Sequence, residues 1–470
     1  MIQINITADL TYKRPLTIFG WSTTVLGSLI ILYLSLHAAL NWSYSGFCVI
    51  LVAALVMWIF RLVPEYIPST LIILGGLLFH IAPKHIILSG FSSNSFFRAL
   101  TVFGIGAIIS KSRLFYRFSI VLLINIPATS AILQKCLFLI GATMTPIMSV
   151  QSSRVTLMAH LLDDILDSSK IHPRSPHANA LANAAFHGCI LLSTIFLTGK
   201  SSNFIVYGLL SEQNHWGGNW FDWLWSASFP GLLLISLFFI LQSILFKQPG
   251  NLTINRYRLK KELCTLGKLS YDEYIAFLCL GIFLLGAILS IWKNIDSIWT
   301  CLIVFLIVFS TKTLTVQEVK KQINWRFLFY FGTIIGVMKS VQNIGIDLLF
   351  LNHFHWLLTM AKGHVVLFIS IIYLISWLVG VLLGTMIAPA VLFTALVPLT
   401  LQIHMNSWLI AFIILMATEA WIFPYQSSYF LCFEELLKRK NNFTMNSLLK
   451  LNAWFSFLKL GIVLVSIPFW

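Results

Sequence analysis

Hydroxyl and amide side chains crowd into three short stretches of this chain, each beside a proline or glycine and each next to an apolar run. The first holds Thr145, Ser149, Gln151, Ser152 and Ser153 around Pro146. The second holds Thr198, Lys200, Ser201, Ser202 and Asn203 around Gly199, and the third holds Gln426, Ser427 and Ser428 after Pro424. Together these are the groups that a small dianion needs in a low-dielectric interior. Helices broken at Pro or Gly offer N-terminal dipoles and free backbone donors. Hydroxyls orient the anion's oxygens, and unwound carbonyls hold a sodium ion. A lone serine in an apolar helix bonds back to its own turn instead; clusters beside breaks read as a site. Two ionisable residues join them. Glu419 lies in the apolar run Trp408–Phe423 and reads as a proton carrier or cation ligand, or else as a carboxylate bonded to neighbouring helices near the surface. Lys200 follows the apolar run 190–197 and reads as a cation for the anion or in place of sodium, or else as an interfacial lysine.

The surrounding elements must be membrane-spanning. Of 470 residues, 58% are hydrophobic and 10% charged, too apolar for a soluble fold. The excess of 31 Lys+Arg over 16 Asp+Glu sits in short loops, where it sets topology, so no nucleic acid is expected. Spanning segments are predicted near 17–40, 46–63, 68–83, 97–110, 183–198, 228–246, 274–292, 297–312, 326–339, 364–380, 407–422 and 451–469. The stretches 118–162 and 381–402 are broken by Pro127, Gly141 and Pro146, and by Gly384, Pro389 and Pro398, and read as re-entrant hairpins. The reading is an all-α polytopic membrane protein with about 11–12 transmembrane helices in two inverted repeats, each carrying a re-entrant helical hairpin. Residues 1–45 form an N-terminal helix, 46–246 the first repeat with a hairpin at about 131–162, 247–272 a cytoplasmic linker, and 273–470 the second repeat with a hairpin at about 381–402.

Internal matches carry the repeat. Phe103-Gly104 with Lys111-Ser112 matches Phe331-Gly332 with Lys339-Ser340 at the same spacing. Gly141 to Pro146 matches Gly384 to Pro389, and Ser201-Ser202 matches Ser427-Ser428, in the same order. Paired broken segments in inverted halves point to a secondary-transporter site. Basic clusters at Lys13/Arg14, Lys111/Arg113/Arg117, Lys312/Lys320/Lys321/Arg326 and Lys438/Arg439/Lys440 all fall inside when the N-terminus is cytoplasmic and both hairpins return to their own side; the C-terminus then ends outside. Lys13 and Arg14 precede a first spanning helix rather than a cleavable leader.

The stretch Thr145-Pro-Ile-Met-Ser-Val-Gln-Ser-Ser-Arg154 resembles the first hairpin tip of the divalent anion/sodium symporters, the carriers of dicarboxylates, citrate and sulfate, with Val150, Gln151 and Ser152 where that family has Ser-Asn-Thr. Ser193 to Asn203 resembles the family's first helix break, and Pro424-Tyr-Gln-Ser-Ser428 its second. The resemblance implies two hairpins, a homodimer, a scaffold domain, an elevator-like transport domain, and sodium sites where each tip meets a break. Ala388-Pro389-Ala390 at the second tip offers no side-chain oxygen for a cation.

The resulting assignment is a secondary active transporter of small dianions, such as di- or tricarboxylates or sulfate, coupled to Na+ or H+ or working by exchange. A carrier of arsenite, other oxyanions or Na+/H+ is the alternative. Gln151, Ser152, Ser153, Lys200, Ser201, Ser202, Asn203, Gln426, Ser427 and Ser428 are assigned to substrate; Thr145, Ser149, Thr198 and Glu419 are assigned to cation coupling. No catalytic constellation is present, so no enzyme is expected, and no cofactor beyond a sodium ion. Asp163, Asp164 and Asp167 with His160, His172, His177 and His187 lack metal-site spacing and read as a solvated connector. Trp216, Trp220, Trp223 and Trp225 read as an interfacial belt. The partners are a small anion, the bilayer and a second copy. The lack of long soluble extensions points to a bacterial inner membrane.

Overall fold

The computed structural model describes residues 10–37, 41–127, 129–169, 171–212, 218–246, 256–293, 298–345, 360–361, 363–402, 405–438 and 443–470. In chain order its α-helices are α1 (Leu10–His37), α2 (Trp42–Ile59), α3 (Tyr66–Leu78), α4 (Lys84–Ile87), α5 (Asn94–Ser112), α6 (Leu114–Asn125), α7 (Ser130–Met144), α8 (Gln151–Ser168), α9 (Pro176–Ile190) and α10 (Ser201–Glu212). They continue as α11 (Trp220–Leu245), α12 (Arg256–Leu266), α13 (Tyr271–Lys293), α14 (Ile298–Ser310), α15 (Val316–Gln322), α16 (Trp325–Ile344), α17 (Val365–Gln402), α18 (Ser407–Thr418), α19 (Ser428–Lys438) and α20 (Met445–Ser466). The protein is an all-α polytopic membrane protein. Among the described residues six helical stretches are long and apolar enough to span a bilayer: Thr17–His37, Trp42–Ile59, Trp220–Leu245, Tyr271–Leu289, Val365–Leu396 and Met445–Phe469. Shorter apolar helices, α3, α6, α7, α14 and α18, accompany them. Outward faces are apolar: Phe277, Leu306, Leu232 and Phe457 are all more than three-fifths exposed. Water would disfavour such a surface; lipid does not.

The chain divides into two compact units. One comprises residues 1–96 and 324–356. In it α16 presents Gly332 and Gly336, one turn apart, to the short turn at 84–92; a Cβ on Gly336 would collide with the Ile87 carbonyl.

The other unit comprises residues 97–323 and 357–470 and contains every residue assigned to the site. Within it the Lys111/Arg113/Arg117 cluster reaches two acidic residues, Glu318 and Glu273. Lys111 Nζ donates to Glu318 Oε2 at 2.9 Å and to the Thr313 carbonyl, and Arg117 Nε donates to Glu273 Oε1 at 2.8 Å. The linker residues 247–255 and the cluster residues Arg439 and Lys440 lie outside the described residues, as does Trp216.

Two long helix pairs set the frame. The first hairpin is α7 and α8 with a break at 145–150, and it packs on α9. Ser175 caps α9 and Pro176 stands in its first turn, and the alanine-rich body from Ala180 to Ala185 is buried on all sides. Those small side chains let the backbones touch. A Cβ on Gly188 would fall 2.5 Å from the Phe138 carbonyl, and one on Gly141 would fall 2.6 Å from the Cys189 nitrogen. The second broken stretch is a continuous run from Val365 to Gln402 with one non-helical residue, Gly384, at φ 79°. Pro389, expected at a tip, lies within the helix after that break. Only glycine occupies this backbone region cheaply.

The Gly141–Gly188 contact holds the first hairpin against the first helix break. Gly188→Val is therefore expected to destabilise the protein by about 1–3 kcal/mol or more through overpacking. Thermal unfolding of purified protein in detergent should show a clear drop in midpoint, and Gly104→Ala, whose added Cβ meets nothing within 4 Å, should not.

Candidate functional site

Each helix break frees backbone carbonyls, and buried carbonyls must find donors. At the first break, residues 191–200, backbone amides serve the Leu192 and Lys200 carbonyls, and side chains supply many of the other donors. Arg154, completely buried, gives Nε to the Cys189 carbonyl at 2.9 Å, Nη1 to the Gly199 carbonyl at 2.7 Å and to the Met148 carbonyl, and Nη2 to Ser193 Oγ at 2.9 Å. One planar guanidinium thus fastens the hairpin tip to the break. Asn203 Nδ2 donates to the Ser193 and Phe196 carbonyls at 2.8 and 2.9 Å, while its Oδ1 is buried without a partner. Trp223 Nε1 donates to the Thr194 carbonyl at 3.2 Å. Trp223 is fully buried and braces the break, whereas Trp225 on the same helix is 82% exposed. The aromatic belt read from sequence therefore splits into a structural and an outward-facing residue.

Hydroxyls lace the same junction. Ser149 Oγ donates to the Thr198 carbonyl at 2.7 Å, and Thr198 Oγ1 donates to the Pro146 carbonyl at 2.5 Å. Thr145 Oγ1 donates to the Gly141 and Cys189 carbonyls at 3.1 and 3.4 Å. Ser149 and Thr198, assigned to cation coupling, thus spend their hydrogens on tip-to-break bonds, and Thr145 spends its own on α7 and α9.

At the second break, residues 419–427, the carbonyls are met in the same way. Trp377 Nε1 donates to the Ala420 carbonyl at 3.0 Å, and Asn452 Nδ2 and Ser456 Oγ both donate to the Trp421 carbonyl, at 2.5 and 2.8 Å. Gln426 Oε1 accepts from the Ile422 and Phe423 amides, and Ser427 Oγ accepts from the Phe430 amide at 3.1 Å, capping α19. These two residues, assigned to substrate, are engaged in holding the break's backbone. Ser428 is exposed.

The two breaks are joined by one carboxylate. Glu419, at the end of α18 and 4% exposed, accepts three bonds. Lys200 Nζ donates to Oε2 at 3.1 Å, Thr194 Oγ1 donates to Oε2 at 2.6 Å, and Gln151 Nε2 donates to Oε1 at 2.9 Å. Lys200 also donates to the Leu415 carbonyl at 3.0 Å, a group freed by the end of α18. Lys200 is itself 3% exposed, so it does not snorkel. Gln151 reaches Ser193 Oγ as well, at 3.3 Å. The hairpin tip, the first break and the second break therefore converge on Glu419. Ser152, Ser153 and Ser201 are half-buried around this junction and Ser202 is buried. The α8 N-terminus beside it has no side-chain cap.

Beside the first break a small pocket of about 50 Å³ is lined by Thr198, Leu197, Asn219, Trp220, Arg98 and Tyr207 among others. Arg98 Nη1 donates to Tyr207 Oη at 2.5 Å.

Sequence reasoning placed Lys200 and Glu419 separately; the structure makes them partners. It missed Thr194 and Lys459. Lys459 is 7% exposed on α20, within electrostatic reach of Glu419, which attracts its charge, and of Lys200, which repels it. The signal was available: a single charge inside the apolar run 451–469, of the kind that singled out Glu419. In the connector, Asp164 accepts from Tyr116 Oη at 3.0 Å, and His187 is buried in α9 rather than solvated.

Removing one member of the buried ion pair leaves an uncompensated charge. Lys200→Met and Glu419→Gln should each cost about 3–5 kcal/mol, and the double variant clearly less than their sum. Denaturant titration in detergent measures the cycle; strict additivity would deny the coupling.

The profile of the sodium:sulfate symporter transmembrane region matches residues 17–429. Over 359 residues the chain is 21% identical to the inner membrane protein YbhI of Escherichia coli, covering 71% of this chain and 72% of that protein. Over 156 residues it is 29% identical to an uncharacterized transporter of Haemophilus influenzae, a match spanning 33% of this chain and only 32% of that relative. The chain belongs to the sodium:sulfate symporter transmembrane family.

Proposed function

We propose that the protein is an elevator-type secondary transporter of small dianions, sulfate or a di- or tricarboxylate, and that its anion meets the junction of the hairpin tip with the two helix breaks. The carrying observation is the convergence of Gln151, Thr194 and Lys200 on Glu419. A hairpin tip and two broken helices present hydroxyls, an amide and an ammonium at one buried place, which is what a desolvated anion requires. Gln151, Ser152, Ser153, Lys200, Ser201, Ser202 and Asn203 are the residues that contact or surround substrate in this reading. Gln426 and Ser427 hold the shape of the second break, with Ser428 at its outer edge.

Lys200 bears on coupling. An ammonium is a compact point charge on a flexible stem. At this break it supplies the positive charge that a coupling sodium ion would otherwise bring, so transport depends on sodium weakly and runs by proton coupling or exchange. The succession of elements supports two inverted repeats. A broken helix pair, a short helix, a break, a second short helix and a long helix occur as α7 to α11 and again as α17 to α20. The meeting of the Lys111, Arg117 and Glu318 regions supports placing those clusters on one side of the membrane, the cytoplasmic side by the positive-inside rule. The membrane is a bacterial inner membrane, with the N-terminus inside and the C-terminus outside, and the working unit is a homodimer.

Uptake of radiolabelled sulfate, succinate, malate and citrate into proteoliposomes under sodium, pH or counter-anion gradients tests the reading. At least one dianion should enter saturably. Gln151→Ala should weaken its apparent affinity about tenfold while the protein stays folded; unchanged kinetics would remove the tip from the site. Cysteine labelling should place residues of α12 and Trp470 on opposite sides; labelling of both from one side would contradict the inverted arrangement.

A further inference from the structure

The long helix α20 carries a polar stripe made of Asn452, Ser456 and Lys459, spaced by four and then three residues, so the three stand on one face. The first two grip the Trp421 carbonyl, two residues past Glu419. The stripe thus fixes the register of α20 against the second break and sets Lys459 on that same face, within electrostatic reach of Glu419 and Lys200. Lys459 is more than nine-tenths buried, and among the described residues it has no hydrogen-bond partner. Glu419, the carboxylate nearest to hand, is already taken by Lys200, Thr194 and Gln151. His187 faces the same place from α9; its Nδ1 lies 3.0 Å from the Asn183 carbonyl and its Nε2 is buried without a partner.

The charged side chains buried around the breaks are Arg154, Lys200, Lys459 and Glu419. Three cations against one carboxylate leave a formal excess of two positive charges. Arg154 is saturated by carbonyls and Ser193 and serves as a brace. Lys459 is not saturated. An ammonium on so enclosed a stem favours a counter-anion, and the protein supplies none that is uncommitted among the described residues.

We propose that Lys459 is a further substrate-binding residue, an ammonium held by α20 for the second negative charge of the anion, and that it makes the site select dianions over monoanions of the same shape. The inference rests on the transporter reading for its substrate, but not on transport itself. Lys200, engaged with Glu419 and the Leu415 carbonyl, meets the first charge; Lys459 meets the second. The site with a dianion bound is then formally neutral.

Pairs of anions that differ by one charge test it: sulfate against methyl sulfate, and succinate against succinamate. Thermal stabilisation of the purified wild-type protein should favour the dianion of at least one pair by about tenfold or more in concentration. Lys459→Met, which keeps the stem, should erase most of that preference, and Lys459→Arg should keep it. A purely structural lysine would alter the unfolding midpoint without altering the ratio. Lys459→Gln gives the same reading should Lys459→Met not fold. Equal stabilisation by both members of each pair in the wild type, or an unchanged ratio in Lys459→Met, overturns the proposal. Stabilisation selective for dianions with no tracer uptake would sink the transporter reading and leave the anion site standing. Uptake with no charge preference would do the reverse.

Discussion

The Glu419 carboxylate is the point on which the rest of this structure depends. In a low-dielectric interior a lone carboxylate is costly, and its position is tolerated only because an ammonium, a hydroxyl and an amide meet it together. Those three donors come from two different places: Lys200 and Thr194 from the first break, and Gln151 from the hairpin tip. The carboxylate therefore does more than neutralise a lysine. It ties the broken backbone of one half of the chain to that of the other. A membrane offers no water to replace any lost bond, so the arrangement must form as a whole.

The backbone sets the second constraint. Breaking a helix inside the membrane frees carbonyls that lipid cannot satisfy. Here each described break is supplied with long donors that reach across helices: Arg154, Asn203 and Trp223 at the first, Trp377, Asn452 and Ser456 at the second. The breaks are thereby braced, and the N-terminus of α8 carries no side-chain cap, whereas Ser427 caps α19. The close approach of Gly141 and Gly188 brings the hairpin near enough for Arg154 to span it. Packing and polar satisfaction are in this way the same requirement. Many of the hydroxyls near the tip serve it before they serve any ligand.

Much of this was legible in the residues. Apolar runs of spanning length announced the membrane class, and Pro or Gly beside polar clusters marked both breaks. Lys200 and Glu419 stood out because charge is rare in such runs. Their partnership was not legible, since 219 residues separate them and only the fold brings them together. Gln426 and Ser427 were the right types for a ligand, yet backbone amides take their oxygens, a competition that side-chain chemistry alone does not reveal. The break in the second pair falls at Gly384, because a left-handed φ stops a helix more sharply than Pro389, which the helix accommodates. Trp223 was read as an interfacial anchor because tryptophan is common there; burial turned it into a donor for the Thr194 carbonyl.

The central claim is that a lysine built into the first break supplies the positive charge that would otherwise come from a bound cation. Anion-induced thermal stabilisation, measured in sodium and again with sodium replaced by N-methylglucamine, tests it most directly. The account predicts that sulfate or succinate stabilises the wild-type protein to the same extent in both media. A strict, saturable requirement for sodium in the wild type would contradict it.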